Sequence, residues 1–135
     1  KARMISPRKV YCIDTGVVNV SGVSFSSNEG HNLENMVYIA LRRRTKDIYY
    51  FSNQSDECDF IVAENLTPSL AIQVCHELSI ENRVRETKGL FLAMEELNIP
   101  KGIIISTAQE DTIIEAEKRI DIVPFDKLDN YLADI

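Results

Sequence analysis

Long apolar runs are absent from this sequence. None approaches the roughly 18 consecutive apolar residues that a membrane-spanning helix needs, so no membrane partner is expected and we expect a soluble, cytoplasmic protein. Internal repeats and low-complexity tracts are missing as well. With 44% hydrophobic and 27% charged residues, the 135-residue chain is predicted to form one domain, residues 1–135, around an apolar core.

Cysteine is scarce, and its three positions, Cys12, Cys58 and Cys75, show no CxxC spacing. Each cysteine lies among apolar residues, which favours free core thiols in a reducing compartment. Together with His31 and His76 they offer too few ligands at recognisable spacing for a zinc site.

A GxxxxGK[ST] phosphate loop is also absent, so ATP is not expected to bind to this chain. There is no basic excess either: the formal net charge is −6, whereas DNA-binding domains usually carry a basic surface. Any contact with DNA must therefore be local, and the run Arg42, Arg43 and Arg44 is the candidate for it. The same run also suits the negative end of a helix dipole, and that simpler interpretation stays open.

The spacing of apolar residues predicts the order strand, helix, three strands, helix, strand, strand, helix. The predicted helices are 31–44, 80–97 and 125–135, and the predicted strands are 9–15, 48–51, 58–63, 70–74, 102–106 and 120–124. The buried face of the second helix is expected to contain Val84, Thr87, Leu90, Phe91, Met94 and Leu97. The segment 21–30 is predicted to be a loop, and TIIEAEKR fits either a strand or a helix.

Two features of the strands indicate how the sheet is built. Turn residues separate the three middle strands, which predicts an antiparallel meander, and the fully apolar GIIIS predicts a strand buried in a parallel or mixed sheet. We therefore predict an α/β (α+β) domain with a central mixed sheet flanked by helices.

An ordered series of phrases runs through the chain: KVYCIDTGVVN, LENMVYIAL, IYYF with ECDFIV, AIQVCHEL and RETKGL. Taken in this order, the series resembles the uncharacterised C-terminal domain that follows an AAA-type ATPase module in many archaeal and bacterial proteins. The resemblance implies a restriction-endonuclease-like fold, akin to the PD-(D/E)XK nucleases. It also implies an upstream ATPase domain as partner, with the basic stretch 1–8 expected to be a trimmed linker.

The resemblance further implies a site. Phosphodiester cleavage needs a hard divalent cation held by carboxylate oxygens, and a lysine that offsets developing charge. The positions that match the family's site here are Glu34, Asp59, Gln73 and Cys75, with Glu34 and Asp59 as ligands for Mg²⁺. Gln73 offers only a neutral oxygen where active relatives have a carboxylate, and Cys75 replaces the lysine.

Several of these residues have simpler interpretations. Glu34 suits an exposed position near a helix N-terminus, whereas a carboxylate inside CDFIV, Asp59, should meet a cation, a hydrogen-bond donor or water. Cys75 suits a small core residue better than a nucleophile paired with His76.

The start of the second helix carries further charges that match the resemblance. Arg85 and Glu86 belong to the matching phrase, and a charge here could face the site. In some nucleases of this fold the lysine has moved onto this helix, so Arg85 or Lys88 is an auxiliary candidate. Surface ion pairs are the simpler interpretation of both cations.

Three functions compete. The favoured one is an accessory, catalytically degenerate domain that contacts DNA or a protein partner for its ATPase, because the lysine is absent and the charge is acidic. The second is an active Mg²⁺-dependent DNA nuclease using Glu34, Asp59 and Gln73. The third function, an oligomerisation or docking module, is supported only by the apolar content of the chain.

Overall fold

The structure is a computed structural model that describes residues 29–133, with side chains from residue 32 onward. The strand predicted over 9–15, most of the loop predicted over 21–30 and the expected linker lie outside these residues. The described residues contain the α-helices α1 (Glu29–Arg42), α2 (Arg83–Glu96) and α3 (Leu128–Leu132). They also contain the strands β1 (Ile48–Asn53), β2 (Asp56–Glu64), β3 (Thr67–Val74), β4 (Lys101–Ser106), β5 (Asp111–Glu115) and β6 (Lys118–Pro124). A 3-10 turn, Phe125–Lys127, leads into α3. No helix in this part of the chain is long and apolar enough to cross a membrane.

The six strands form one mixed sheet in the order β1-β2-β3-β4-β6-β5. Strands β1, β2 and β3 are antiparallel neighbours, which confirms the predicted meander. Strand β4 lies parallel to both β3 and β6, which confirms the prediction from GIIIS. The predicted α+β architecture, a central mixed sheet flanked by helices, is therefore correct.

The segment TIIEAEKR, which fitted strand or helix, belongs to an antiparallel hairpin of β5 and β6. Its two-residue turn, Ala116 and Glu117, has positive φ angles of 50° and 64°, as a type I′ hairpin requires. Helix α1 begins at Glu29, inside the segment predicted as loop.

Apolar side chains cover both faces of the sheet. Helix α2 packs its buried Leu90, Ala93 and Met94 into a cluster on one face. Helices α1 and α3 pack Val37, Leu41, Leu128 and Leu132 into a cluster on the other. Burial on both faces explains why β4 reads as an uninterrupted apolar run.

One predicted core residue of α2 is wrong: the side chain of Val84 is 74% exposed. The buried face follows Thr87, Leu90 and Met94 and also contains Gly89 and Ala93. Val84 matches the spacing of that stripe, but it lies in the first turn of the helix on the side that faces away from the sheet.

Helix α2 approaches the sheet most closely at Gly89. A Cβ atom at this position would lie 1.9 Å from the backbone oxygen of Glu57 in β2, so only glycine fits. This contact holds the first turns of α2 close to β2 and β3.

Candidate functional site

A β-bulge in β2 sets the position of Asp59. Tyr49 of β1 pairs with Ile61 and Phe51 pairs with Cys58, so Asp59 and Phe60 together oppose the single residue Tyr50. A bulge of this kind bends the strand and redirects a side chain, and bulges are common beside functional sites. The sequence gives no signal for it.

The carboxylate of Asp59 is directed towards β3. Its Oδ2 atom accepts a hydrogen bond from the backbone N–H of Val74 at 2.8 Å, and the residue is only 8% exposed. The expectation that Asp59 meets a donor is confirmed, and the donor is backbone.

Gln73 lies beside Asp59 and uses both ends of its amide. Its Oε1 atom accepts from the backbone N–H of Asp59 at 3.3 Å, and its Nε2 atom donates to Oε2 of Glu86 at 3.1 Å. Gln73 therefore connects the meander to α2. A glutamate here would present a carboxylate to Glu86 instead of a donor.

Glu86 is the charged residue of α2 whose side chain contacts the site, and this side chain is largely buried. The exposed Arg85 binds it: Nη2 and Nε of Arg85 donate to Oε1 of Glu86 at 2.7 and 3.1 Å. The hydrogen bond and the charge of Glu86 raise the pKa of the Arg85 guanidinium. Asp59, Gln73, Glu86 and Arg85 thus form one hydrogen-bonded series, which we call the carboxylate network.

The two auxiliary cations occupy ion pairs. Arg85 pairs with Glu86, and Nζ of Lys88 lies 3.1 Å from Oδ1 of Asp56. Both side chains are largely exposed, which agrees with the simpler interpretation of surface ion pairs.

Cys75 follows β3, and its side chain packs in the same cluster as the buried face of α2. Burial raises the pKa of its thiol to about 11, and the charge of Glu86 acts in the same direction. The thiol donates to the backbone oxygen of Glu77 at 3.3 Å. Cys75 is therefore a protonated core residue at neutral pH, as the simpler interpretation expected, and His76 beside it contacts Thr107.

A turn from Ser79 to Asn82, which was not predicted, fixes the entry to α2. The backbone N–H of Ser79 donates to Oδ1 of Asn82 at 2.8 Å, and the backbone N–H of Asn82 donates to Oγ of Ser79 at 3.3 Å. This reciprocal pair has the pattern of a capping box, here in the form Ser-x-x-Asn. Nδ2 of Asn82 also donates to the backbone oxygen of Glu77 at 2.9 Å. The spacing was visible in the sequence.

Glu34 is half-buried on α1, whose apolar side packs on the opposite face of the sheet from α2. The hydrogen bonds bring Asp59 and Gln73 together and add Glu86 to them. Convergence of Glu34 with these residues stays a prediction.

The side-chain oxygens of Gln73 and Glu86 take part in hydrogen bonds: the Gln73 oxygen accepts from a backbone N–H, and both Glu86 oxygens accept from side chains. Binding of Mg²⁺ by Glu34 and Asp59 stays a prediction. Within residues 32–133, no three histidine, cysteine, aspartate or glutamate side chains form a group that could hold a metal ion.

The basic run lies at the end of α1. Arg42 and Arg43 are exposed, whereas Arg44 donates from Nη2 to the backbone oxygen of Asp129 at 3.0 Å and lies 3.6 Å from its carboxylate. Two of the three arginines are therefore accessible to an external phosphate.

No protein-family model matches the chain, and no solved structure matches it significantly. The chain is similar to the uncharacterized protein MJ1544 of Methanocaldococcus jannaschii, with 37% identity over 136 residues. The match covers 93% of this chain but only 30% of the archaeal protein. The chain thus spans less than a third of the length of this relative.

Proposed function

We propose that this chain is an accessory domain of a larger cytoplasmic ATPase, nuclease-like in descent, that binds a partner without cleaving it. The observation that carries the proposal is that the Gln73 amide makes two hydrogen bonds. Its oxygen accepts from the backbone N–H of Asp59, and its nitrogen donates to the carboxylate of Glu86. In an active member of the resembling family, a carboxylate at this position binds the metal ion. Here a neutral amide links two acidic residues through hydrogen bonds and stabilises the domain instead.

The position of Cys75 supports the same proposal. A lysine at this position would offset charge at a scissile phosphate, whereas the buried thiol stays neutral well above physiological pH. The ion pairs of Arg85 and Lys88 with carboxylates of their own domain favour a surface role for both cations over replacement of the lysine. The ATPase partner rests on the sequence resemblance, and the cytoplasmic location on the cysteines lying among apolar residues without CxxC spacing.

A plasmid-nicking assay with Mg²⁺ or Mn²⁺ tests the absence of turnover. We expect no nicking by the wild-type chain, and a gain of nicking or of metal affinity in the double variant Gln73→Glu with Cys75→Lys. A thermal melt of each variant is needed because a lysine at the buried position 75 costs stability. Robust wild-type nicking that disappears in Asp59→Ala would refute the proposal and establish the nuclease.

Exposed Arg42 and Arg43 favour DNA as the partner. With a net charge of −6, contact with phosphate is local, so binding to duplex DNA should be weak and should fall as salt rises. Fluorescence anisotropy on labelled duplex is expected to lose its signal in Arg43→Glu. The matched control Arg83→Glu makes the same charge change at an exposed residue of α2, which packs on the opposite face of the sheet. Equal losses in both variants would show that no local contact exists.

A further inference from the structure

The loop between β3 and α2, residues 77–82, passes over the side chain of Cys75. The backbone oxygen of Glu77 accepts from the Cys75 thiol at 3.3 Å, and Nδ2 of Asn82 donates to its Sγ at 3.7 Å. Both ends of the loop therefore contact the same thiol, and Cys75 is only 7% exposed. We call this loop the strap.

The strap has little apolar contact with the rest of the domain. None of its six residues is fully buried. Leu78 packs against the core cluster that contains the buried face of α2, whereas Ile80 is 93% exposed. Segments with few buried apolar contacts are the ones that open locally while the rest of a protein stays folded.

The side chain of Gln109 holds the strap at Leu78. Its Oε1 atom accepts from the backbone N–H of Leu78 at 2.7 Å, and its Nε2 atom donates to the backbone oxygen of Leu78 at 2.9 Å. One side-chain amide thus satisfies both backbone groups of a strap residue, as a neighbouring strand would.

Gln109 is itself fixed to the end of β4. The hydroxyl of the buried Ser106 accepts from the backbone N–H of Gln109 and donates to its backbone oxygen, both at 2.9 Å. A backbone hydrogen bond from Thr107 to the oxygen of His76, at 3.1 Å, continues the pairing of β3 with β4 up to the strap. The Gln109 side chain is therefore attached to the sheet, and the strap begins where the sheet ends.

We propose that the strap is a conformational device, which opens as a unit when Gln109 releases Leu78 while the sheet stays folded. Opening uncovers the thiol of Cys75. It also frees the start of α2, because the backbone oxygen of Asn82 accepts from the backbone N–H of Glu86 at 3.0 Å. Glu86 belongs to the carboxylate network, so an open strap loosens the network at this residue. This inference does not depend on the proposed function.

Alkylation by iodoacetamide tests the strap, because Cys58 supplies an internal reference. Cys58 is 0% exposed in β2, so its thiol reacts when the sheet itself unfolds. Cleavage of the labelled chain after glutamate separates Cys58 and Cys75 into the peptides 58–64 and 65–77. Mass spectrometry of these peptides then gives the labelling rate of each thiol.

We expect the wild-type chain at pH 8 to label Cys75 slowly but faster than Cys58, and Gln109→Met to accelerate Cys75 by about tenfold or more. This substitution keeps the length of the side chain and removes both hydrogen bonds to the strap. The matched control Gln54→Met makes the same change at an exposed residue of the turn between β1 and β2, and it should leave both rates unchanged. Equal acceleration of Cys58 and Cys75, or no acceleration of Cys75, overturns the proposal.

Amide hydrogen exchange of the wild-type chain, followed by NMR, tests the same opening without a substitution. The N–H groups of Leu78 and Glu86 should share one protection factor, because opening of the strap breaks the hydrogen bonds of both. The N–H of Cys75, which donates to Ile105 in β4 at 2.9 Å, should be protected about tenfold more or better. Protection of Leu78 or of Glu86 equal to that of Cys75 would show that the strap opens only with the whole domain, and would refute the proposal.

Discussion

Replacing Gln73 with glutamate tests the carboxylate network directly. The substitution keeps the size and shape of the side chain and keeps an oxygen for the backbone N–H of Asp59. It removes the donor that Glu86 receives at 3.1 Å and places a second carboxylate there. The variant therefore isolates one hydrogen bond and one charge.

The magnitude follows from the bond that is lost. A hydrogen bond to a charged, largely buried group contributes about 1.5–3 kcal/mol, so Gln73→Glu should lower the free energy of unfolding by about that amount at neutral pH. At about 4 °C per kcal/mol for a domain of this size, the melting temperature should fall by about 6–12 °C.

The loss should also depend on pH. Repulsion from Glu86 raises the pKa of the new carboxyl in the folded state above its unfolded value of about 4.3. A carboxyl whose pKa is higher in the folded state than in the unfolded state adds to the free energy of unfolding at pH values below its unfolded pKa. This contribution disappears as the pH rises through the pKa of the folded state. The difference from wild type should therefore be small near pH 4 and full at pH 8.

Thermal melts of the wild type, Gln73→Glu and the neutral control Gln73→Met at pH 5 and pH 8 check this. The control lacks both hydrogen bonds, so it should be destabilised similarly at both pH values. Added Mg²⁺ should raise the melting temperature of Gln73→Glu alone, because only that variant has a third carboxylate to offer. A Gln73→Glu variant as stable as wild type at pH 8 would show that Gln73 does not donate to Glu86.

Three further predictions concern other residues. Gly89→Ala should destabilise the fold by more than about 2 kcal/mol, measured by urea unfolding, because its Cβ would overlap the backbone oxygen of Glu57. Leu66→Gly should instead stabilise it by about 0.5–1 kcal/mol in the same assay, since Leu66 has a φ of 67° in a two-residue hairpin turn, where glycine is favoured. Iodoacetamide labelling of Cys75, located by peptide mass spectrometry, should be slow at pH 8 and accelerate towards pH 11, because burial raises the pKa of its thiol to about 11; fast labelling at pH 8 would contradict the burial.

The strands and the sheet could be predicted because their signals are local. Apolar GIIIS has to be buried on both sides, which only an interior strand such as β4 provides. Val84 shows where this reasoning ends: its spacing matched the predicted stripe of α2, but spacing alone does not tell which side of the helix meets the sheet. That side depends on the close approach of α2 to β2 at Gly89, a contact between distant parts of the chain.

The site was only partly predictable for the same reason. Asp59 stood out because a carboxylate within an apolar run needs a partner, and the structure supplies one in the backbone N–H of Val74. The bulge that redirects Asp59 arises from the pairing of β1 with β2, which no local pattern encodes. Glu86 was anticipated only as a charge near the site, and its bond to Gln73 depends on how α2 packs across the sheet.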